Sequence, residues 1–421
     1  MREKIIRDPV HDVIAFRLER PVDALLFSLL NAAEFQRLRR IRQLGMANLV
    51  YPGADHSRYS HSLGVMETAR KILDQLRREF PIDEKAETVC LVGALLHDLG
   101  HGPLSHVFER VSDIDHERVT QRVVMDPDSD VHRILFQYDK LMPESVLDFL
   151  QCQPKRTFFC DILSSQLDAD RLDYLLRDNY MTGSRYGDYD LGWLLHAFTI
   201  DPASNRLAVT QKGISAVEAY LQSRQHMYRH VYFHKVVRSA EGMVKLALQR
   251  ARLLMTQDRL EWPDRESAVN KTLLGQRLTI AEFRDLDDIS VWHCFKEWTD
   301  CSDAILAGLC RGLLFRGLYK TIDITDRFAE EQANRAVAAA EAAVANAGGE
   351  PKFDLFYDQA SDHGGRGGDG IMVVNGSGEA RPFAEVSPIM QSLNSAITVR
   401  RIHVKQQWKA LVEQAIGKIG G

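Results

Sequence analysis

The chain lacks any hydrophobic run that could cross a membrane. A spanning helix needs about 20 consecutive apolar residues, and no apolar run in the 421 residues approaches that length. The N-terminus is charged from Arg2 onward, which is not typical of a secretory signal. These absences predict a cytoplasmic protein without a membrane partner.

The chain also has few cysteines and no excess of positive charge. The six cysteines form no CxxC pair, which indicates reduced thiols in a cytosolic protein. The net charge of −5 argues against a general nucleic-acid binder but permits a local basic pocket for a small anion. With 45% apolar residues, the chain can bury a sizeable core.

The segment that organises the chain carries a histidine and an aspartate at the end of an apolar helix. Residues 89–96 are almost all apolar, which predicts a helix buried on most sides. His97 and Asp98 follow it directly. An ionised carboxylate and a neutral imidazole in an apolar wall need a partner, and a divalent cation suits both. This arrangement predicts a metal site.

Glycine and proline then turn the chain back. Gly100, Gly102 and Pro103 end the helix, so that His101 and His106 return towards the same place. The alternative is a helix C-terminus at which histidines only complement the helix dipole. Three histidines and an aspartate within ten residues favour the metal site.

Two other segments supply candidate partners. His61 is predicted at the start of an amphipathic helix, where capping or core packing is the simpler role unless it shares the metal. In residues 167–178, the side chains of Asp170, Tyr174 and Asp178 share one helix face at i, i+4 and i+8. A polar stripe on an apolar helix more often lines a pocket than faces water.

A second stripe and an arginine cluster point to anions. Arg224, Tyr228 and Tyr232 share a face of a helix predicted from residue 214 to about 255, and they either form an amphipathic surface or hold a phosphate and a sugar. Residues 22–44 are predicted as another helix. Its second half contains arginines that require carboxylate or phosphate partners: Arg37, Arg39, Arg40 and Arg42.

The remaining pattern is mainly helical before residue 350 and mixed after it. An irregular or hairpin-like lead-in is predicted for residues 4–18 and a short hairpin for residues 198–213, with helices for residues 279–316 and 328–346. Strands are predicted for residues 353–357, 371–375 and 397–404, with residues 362–370 as a mobile glycine-rich connection.

The order formed by His61, His97, Asp98 and Asp170 resembles the HD-domain phosphohydrolase superfamily. Further phrases are similar to the deoxynucleoside triphosphate (dNTP) triphosphohydrolases, and within them to the branch whose animal member carries a sterile alpha motif domain, which is not expected here. These phrases are RDPVH at residues 7–11, FQRLR at 35–39, QLG at 43–45, SRYSHSLGV at 57–65 and HDLGHGPLSH at 97–106. The similarity is strong over residues 5–178, returns at 228–235 and is loose beyond 330.

This resemblance implies a mainly α fold, with an HD-domain helical core over residues 1–330 and a small α+β C-terminal region over residues 331–421. It implies a homo-oligomer, either a homodimer or a homotetramer. It also implies a divalent metal ion bound by His61, His97, Asp98 and Asp170. These ligands suit Fe, Mn, Zn, Ni or Mg, so the identity of the ion stays open.

The resemblance further implies roles around this metal. The general acid comes from a catalytic cluster of His101, His106, Glu109 and His116, in which Glu109 stands where the branch often has Asp. Gln43 and Leu44 meet the sugar 3′-hydroxyl, and Arg171 stands where the branch has Lys. Tyr228 and Phe233 replace more polar residues, which leaves the base preference open. The complete substrate-binding set is Arg58, Gln43, Leu44, Arg171, Tyr174, Asp178, Arg224, Tyr228 and Tyr232.

The implied reaction is hydrolysis of a dNTP to a deoxynucleoside and inorganic triphosphate. The metal activates the phosphorus and the water, a histidine protonates the leaving oxygen, and Arg58, Arg171 and Arg224 offset the negative charge. One alternative is an HD-domain nucleotide phosphatase or phosphodiesterase that acts on mono- or cyclic nucleotides. Another is an inactive nucleotide-sensing scaffold.

A nucleotide effector is implied at a subunit interface. The positions that match the effector contacts of the branch are Lys4, Gln36, Arg39, Arg316 and Lys320, but Asn31 replaces the aspartate that selects guanine. An aspartate accepts two hydrogen bonds from guanine N1 and N2, whereas an asparagine amide offers one acceptor. We therefore predict an interface anion site without strict GTP or dGTP activation.

Overall fold

The computed structural model describes residues 3–112, 114–153, 157–260, 262–362, 370–389 and 397–419. Helices dominate, and three small sheets accompany them, so the predicted mainly α fold is confirmed. In these described ranges, no helix is both long and apolar enough to cross a bilayer.

An antiparallel hairpin opens the chain, as predicted. Strand β1 (Glu3–Asp8) pairs with β2 (Asp12–Arg17). Ile14 and Phe16 on β2 are fully buried in the main core, because alternate side chains of a strand point to opposite faces. One face of the hairpin is therefore fixed to the body of the protein.

The prediction of one helix over residues 22–44 is wrong. The chain forms α1 (Pro21–Leu30), α2 (Ala33–Arg37) and a tight turn (Leu38–Arg40). The break lies at Ala32, whose backbone is extended with φ −61° and ψ 139°. The side-chain amide of Asn31 donates to the Phe27 carbonyl at 2.7 Å. This local bond satisfies a carbonyl at the end of α1.

The next helices form the centre of the main core. Helix α3 (Arg58–Leu76) is followed by α4 (Glu84–Leu96), which is buried from Glu87 to its end. Shorter helices come next: α5 (His106–Ser112), α6 (His116–Met125), α7 (Asp130–Tyr138), α8 (Met142–Leu150) and α9 (Phe158–Leu163). Helix α10 (Ala169–Thr182) then packs against α3, as does α4.

The predicted hairpin over residues 198–213 is present, but the long helix after it is interrupted. Helix α11 (Leu191–Ala197) leads into β3 (Phe198–Asp201) and β4 (Arg206–Thr210). Helix α12 (Ile214–Met227) widens into a π-helical turn (Tyr228–Tyr232), and α13 (Lys235–Thr256) starts anew. The His234 side chain accepts from the Val236 N–H at 3.3 Å and caps this restart.

The rest of the chain alternates helices and short strands. Its helices are α14 (Ala268–Leu273), α15 (Ile280–Asp285), α16 (Asp288–Glu297), α17 (Ala304–Leu314), α18 (Glu330–Asn346), α19 (Pro351–Asp354), α20 (Phe383–Val386) and α21 (Lys409–Gly417). Its strands are β5 (Lys320–Asp323), β6 (Leu355–Asp362), β7 (Met372–Val374), β8 (Ala380–Pro382) and β9 (Ile397–Val404). Of the predicted glycine-rich connection, residues 363–369 lie outside the described residues.

The late strands belong to two different sheets. Strands β5, β9 and β6 form an antiparallel sheet in that order, and its core includes residues of α18 and α21. Strand β7 instead pairs in parallel with β4, so that Ile371 and Val373 join the main core. The strands predicted after residue 350 are present, whereas the domain boundary at residue 330 stays a prediction.

Candidate metal centre and active site

Three side chains from three helices meet at one point. His61 lies in the first turn of α3, His97 directly follows α4, and Asp170 lies in the first turn of α10. Their ligand atoms lie within 4.8 Å of one another. Asp170 Oδ1 is 3.0 Å from His61 Nε2 and 3.8 Å from His97 Nε2. The packing of α3, α4 and α10 thus assembles residues that are far apart in the chain.

The orientation of His97 fits a cation. Its Nδ1 donates to the Ala94 carbonyl at 2.9 Å, which leaves the Nε2 lone pair facing Asp98 and Asp170 oxygens at 3.3 and 3.8 Å. This buried Nε2 makes no hydrogen bond within the described part of the chain. A lone pair opposed to two carboxylates is unfavourable unless a proton or a metal cation lies between them. Burial lowers the pKa of His97, but Asp98 and Asp170 raise it overall. Imidazole and carboxylate are common ligands of divalent first-row metals.

Asp98 connects this group to a second one. Its Oδ2 is 3.8 Å from His61 Nε2, and its Oδ1 is 3.4 Å from His101 Nε2. The ligand atoms of Asp98, His101 and His116 also lie within 4.8 Å of one another. Burial alone raises the pKa of Asp98, but His97 and Arg58, which donates to this carboxylate, hold the pKa well below its usual range. Asp98 is therefore ionised and suited to bind a metal.

A carboxylate holds two stacked imidazoles beside the metal group. His101 Nδ1 and His116 Nδ1 lie 3.0 and 3.1 Å from Glu109 Oε1, and the two ring centroids are 3.8 Å apart. Burial, assisted by Arg58, lowers the pKa of His101. Burial also acts to lower the pKa of His116, but the hydrogen bond to Glu109 raises it overall. The side chain of His106, predicted in this cluster, lies outside the described residues.

The sequence analysis missed Asp173, which orients His61. His61 Nδ1 donates to Asp173 Oδ2 at 2.8 Å, so that Nε2 faces Asp170. Burial alone lowers the pKa of His61, but the hydrogen bonds to Asp170 and Asp173 raise it to about 10. Gly64, one turn after His61, permits this approach because a Cβ there would lie 1.9 Å from Asp173 Oδ1. No sequence pattern distinguished Asp173 from the other carboxylates of its helix.

A cavity of about 440 Å³ opens onto the metal group. This volume lies in the usual range for small-molecule sites. Arg58, His61, Asp98, His101, His116 and Asp170 line it. Six further predicted substrate residues line it as well: Gln43, Leu44, Tyr174, Asp178, Tyr228 and Tyr232. We call this space the large cavity.

The wall of the large cavity includes residues that the sequence analysis did not identify as functional. Arg110, Arg238 and Glu241 line it, and Arg238 Nη1 donates to Glu241 Oε2 at 2.9 Å. These residues lie on α5 and α13, and no sequence spacing connects them to the HD motif. Gln43 Oε1 is buried and makes no hydrogen bond within the described residues, which leaves an acceptor for a ligand.

Asp178 is held in a fixed position in this wall. His56 Nε2 donates to Asp178 Oδ1 at 2.7 Å, and the Tyr232 hydroxyl donates to Asp178 Oδ2 at 2.8 Å. Burial and the neighbouring Asp178 raise the pKa of Tyr232 well above its usual value. The tyrosine therefore stays neutral, and its ring is held in place in the lining of the cavity.

Comparisons with known proteins agree with this site. Residues 58–153 match the HD domain, and residues 190–261 match the HD associated region. The crystal structure of a phosphohydrolase from Bacteroides thetaiotaomicron has a TM-score of 0.83 and 25% identity, over 96% of this chain and 100% of that chain. The uncharacterized protein YwfO of Bacillus subtilis is 36% identical over 362 residues, which cover 86% of this chain and 80% of YwfO. The chain belongs to the HD-domain phosphohydrolases.

Some relatives of this HD-domain phosphohydrolase carry an activity in their names. The deoxynucleoside triphosphate triphosphohydrolase SAMHD1 homolog of Dictyostelium discoideum is 31% identical over 290 residues. The match covers 65% of this chain but only 55% of that protein. A hypothetical protein from Aquifex aeolicus has a similar structure, with a TM-score of 0.76 and 26% identity over 98% of this chain and 100% of that chain.

Two predicted substrate arginines do not line the large cavity of this HD-domain phosphohydrolase. Arg171 donates to Asp168 and, at 2.6 Å, to the Ser165 carbonyl. It lines a smaller cavity of about 280 Å³, which also borders His97, Asp98 and Asp170. Arg224 Nη2 donates to Asp362 Oδ1 at 2.9 Å. These carboxylate partners come from tertiary packing or local turns that the helix spacing does not reveal.

The predicted effector residues are divided between two places. Arg316 and Lys320 line a concavity of about 290 Å³ together with Lys235 and Lys409, which we call the basic concavity. Within the described residues, the N-terminal members of the predicted set do not line it: Lys4, Asn31, Gln36 and Arg39. Gln36 and Arg39 contact each other at 2.9 Å. One protomer therefore does not join the two halves of the predicted effector site.

Proposed function

We propose that this HD-domain phosphohydrolase hydrolyses dNTPs to a deoxynucleoside and inorganic triphosphate. The observation that carries the proposal is a histidine and aspartate metal group at the floor of a cavity of about 440 Å³, lined by three tyrosines. The similarity to a dNTP triphosphohydrolase supports the choice of substrate.

The residues divide the chemistry between them. His61, His97, Asp98 and Asp170 would hold a divalent cation, which supplies a Lewis acid and an activated water when bound. Water adds to the α-phosphorus as the bond to the 5′-oxygen breaks, and that oxygen must gain a proton. His116, whose pKa Glu109 at 3.1 Å raises against the effect of burial, is the proton donor in the lining of the large cavity.

The tyrosines and Gln43 suit the nucleoside. The rings of Tyr174 and Tyr228 both meet Tyr232 nearly edge to face, with centroids 6.1 and 5.0 Å away. Such a wall offers flat apolar surface to a sugar or base. The unpaired Oε1 of Gln43 can accept a hydrogen bond from a sugar hydroxyl.

Both cavities offer positive charge to a polyphosphate: Arg110 lines the large cavity, and Arg171 lines the smaller one. Arg58 in the large cavity donates to Asp98 and has little charge to spare. Arg171 in the smaller cavity borders the same metal ligands. We therefore propose that the phosphate chain extends towards Arg171. A mono- or cyclic nucleotide would not need this arginine, so the identity of the inorganic product distinguishes the two readings.

The test uses the full chain with each dNTP and Mn²⁺ or Mg²⁺, and resolves triphosphate, pyrophosphate and phosphate by ion exchange. We expect triphosphate as the inorganic product. His97→Ala should lower the rate more than about a hundredfold, because substitutions of outer residues around a metal already cost 10- to 100-fold. His293→Ala is the matched control, since that side chain is 52% exposed on α16. Phosphate as the sole inorganic product, or unchanged hydrolysis by His97→Ala, would contradict the proposal.

We also propose that the enzyme is a homodimer or homotetramer and that an anion at the basic concavity regulates it. Light scattering with and without dGTP tests the first point, and a monomer under both conditions contradicts it. Hydrolysis of dTTP alone and with GTP, dGTP or dATP tests the second. Strong stimulation by GTP alone would show that Asn31 does not relax the guanine requirement.

A further inference from the structure

Two side chains at the turn between β1 and β2 are buried although they line neither cavity. They belong to the RDPVH phrase, and Asp8 and His11 are only 7% and 6% exposed. Neither residue belongs to the metal group or to the described lining of the large cavity. A buried carboxylate and a buried imidazole need partners, and their partners lie on α10.

Asp173 is the centre of this buried network. Its Oδ2 accepts from His61 Nδ1 and from Arg177 Nε, both at 2.8 Å. Its Oδ1 accepts from His11 Nε2 at 2.8 Å and from Arg177 Nη2 at 2.9 Å. The side chains of Asp173 and Arg177 are fully buried. One carboxylate thus joins a metal ligand to the N-terminal hairpin.

Asp8 connects the fold of the turn to Arg177. Its two oxygens accept from Arg177 Nη1 at 2.8 Å and Nη2 at 3.2 Å. Its Oδ1 also accepts from the backbone N–H groups of Val10 and His11 at 2.9 and 3.0 Å. The carboxylate that shapes the turn is therefore the one that holds the guanidinium against Asp173.

The tautomer of His11 is fixed by its neighbours. The Lys71 ammonium lies 3.3 Å from His11 Nδ1 and can only donate, whereas the Asp173 carboxylate can only accept. Nδ1 therefore carries the lone pair and Nε2 carries the proton that is donated to Asp173. His11 serves Asp173 as a neutral donor beside the charged Arg177.

Negative charge exceeds positive charge behind His61. Asp8 and Asp173 carry two negative charges and Arg177 carries one positive charge. The Lys71 ammonium, 3.3 Å from His11 Nδ1, is offset by the Glu67 carboxylate at 3.9 Å. A carboxylate that accepts from the outer nitrogen of a metal-binding histidine raises the basicity of the other nitrogen. If Asp8 loses its charge, Asp173 becomes the only carboxylate that neutralises Arg177 in this network, so it accepts less strongly from His61. The same change removes one negative charge near the cation.

We propose that Asp8 and His11 are positioning residues for His61, acting through Arg177 and Asp173, so that the seating of the N-terminal hairpin sets the affinity of the site for its divalent cation. This inference rests on the metal site of the proposed function but not on the choice of substrate. It assigns a role to the RDPVH phrase.

The test measures Mn²⁺ binding to the full chain by isothermal titration, without nucleotide. Asp8→Asn keeps an acceptor for the turn but loses the charge, and His11→Phe keeps a ring but loses the donor. Asp12→Asn is the matched control: the same chemical change in the same hairpin, at an exposed residue with φ of 60°, which asparagine tolerates. Asp173→Asn is the reference variant, because it removes the carboxylate that joins His61 to Arg177 and His11.

We expect Asp8→Asn and His11→Phe to weaken Mn²⁺ binding about tenfold and Asp173→Asn 10- to 100-fold, with Asp12→Asn unchanged. Circular dichroism and the melting temperature of the metal-free variants establish that they are folded. Should Asp8→Asn fail to fold, His11→Phe decides by the same criterion. Wild-type affinity in the folded variants, or an equal loss in Asp12→Asn, would overturn the inference. Because the Mn²⁺ titration contains no nucleotide, its result does not depend on whether the protein hydrolyses dNTPs.

Discussion

The large cavity and the basic concavity handle positive charge in opposite ways. In the large cavity, Arg58 is paired with Asp98 and Arg238 with Glu241. The described lining of the basic concavity contains Lys235, Arg316, Lys320 and Lys409 and no acidic residue. One site holds compensated charges, while the other presents an excess of positive charge.

This difference shows how each site selects a ligand. Buried and paired charges keep a fixed geometry, and removing one partner is costly because the other is left unpaired. The cations of the basic concavity are less buried, and only one of them, Lys409, has a described acidic partner, Glu413 at 3.5 Å. They attract anions over distances that salt screens. The large cavity is therefore built for positioned chemistry, and the basic concavity for attraction of an anion by charge.

The greatest loss of stability is expected when the packing behind the large cavity is disturbed. Gly64→Ala would place a Cβ 1.9 Å from Asp173 Oδ1 and 2.3 Å from Arg177 Nη2. We expect the free energy of unfolding in urea to fall by about 3 kcal/mol, the upper range for overpacking. In Gly308→Ala, the matched control in α17, nothing lies within 4 Å of the new Cβ. That variant should gain about 0.5–1 kcal/mol, and equal effects would contradict the prediction.

A smaller effect is expected from a charge change inside the large cavity. Glu109 raises the pKa of His116, so Glu109→Gln should lower it. If His116 acts as the acid, activity requires its protonated form and is lost as the pH rises through its pKa. The alkaline limb of the kcat profile should therefore move to lower pH. Glu144→Gln, at an exposed glutamate of α8, should leave the limb in place, and a shared shift would count against the role of Glu109.

The smallest effect is expected at the basic concavity. Lys320→Ala removes one exposed cation, whose interaction with an anion is worth less than about 1 kcal/mol. Binding of inorganic triphosphate, measured in EDTA, should weaken by less than about fivefold at low salt, and the difference should vanish near 1 M salt, where the Debye length is about 3 Å. Lys140→Ala, at another exposed lysine, should have no effect. A loss that persists at high salt would show a geometric role.

Local patterns allowed much of the fold to be predicted. The apolar run before His97 gave α4, and the alanine-rich segment gave α18. The breaks at Ala32 and Phe233 were missed because neither glycine nor proline marks them. At these breaks, the side chains of Asn31 and His234 bond to helix-end backbone groups. Asparagine and histidine also occur within helices and loops, so their presence alone does not predict a break.

The candidate site was predictable only where its residues occur in short motifs. His97 and Asp98 are adjacent, and the spacing of Asp170 and Tyr174 reveals one helix face. Asp173 and Arg238 have no such signal, because their roles depend on which helices pack together. The carboxylate partner of Arg224 lies in β6, and no pattern within either segment connects the two.

The parallel pairing of β7 with β4 has a consequence for synthesis. Val209 pairs with Val373, so the sheet that follows α11 gains its third strand only after more than 150 further residues have left the ribosome. Until then, the nascent protein presents an open strand edge, which can pair with other chains. A chain truncated between β4 and β7 would keep that edge exposed.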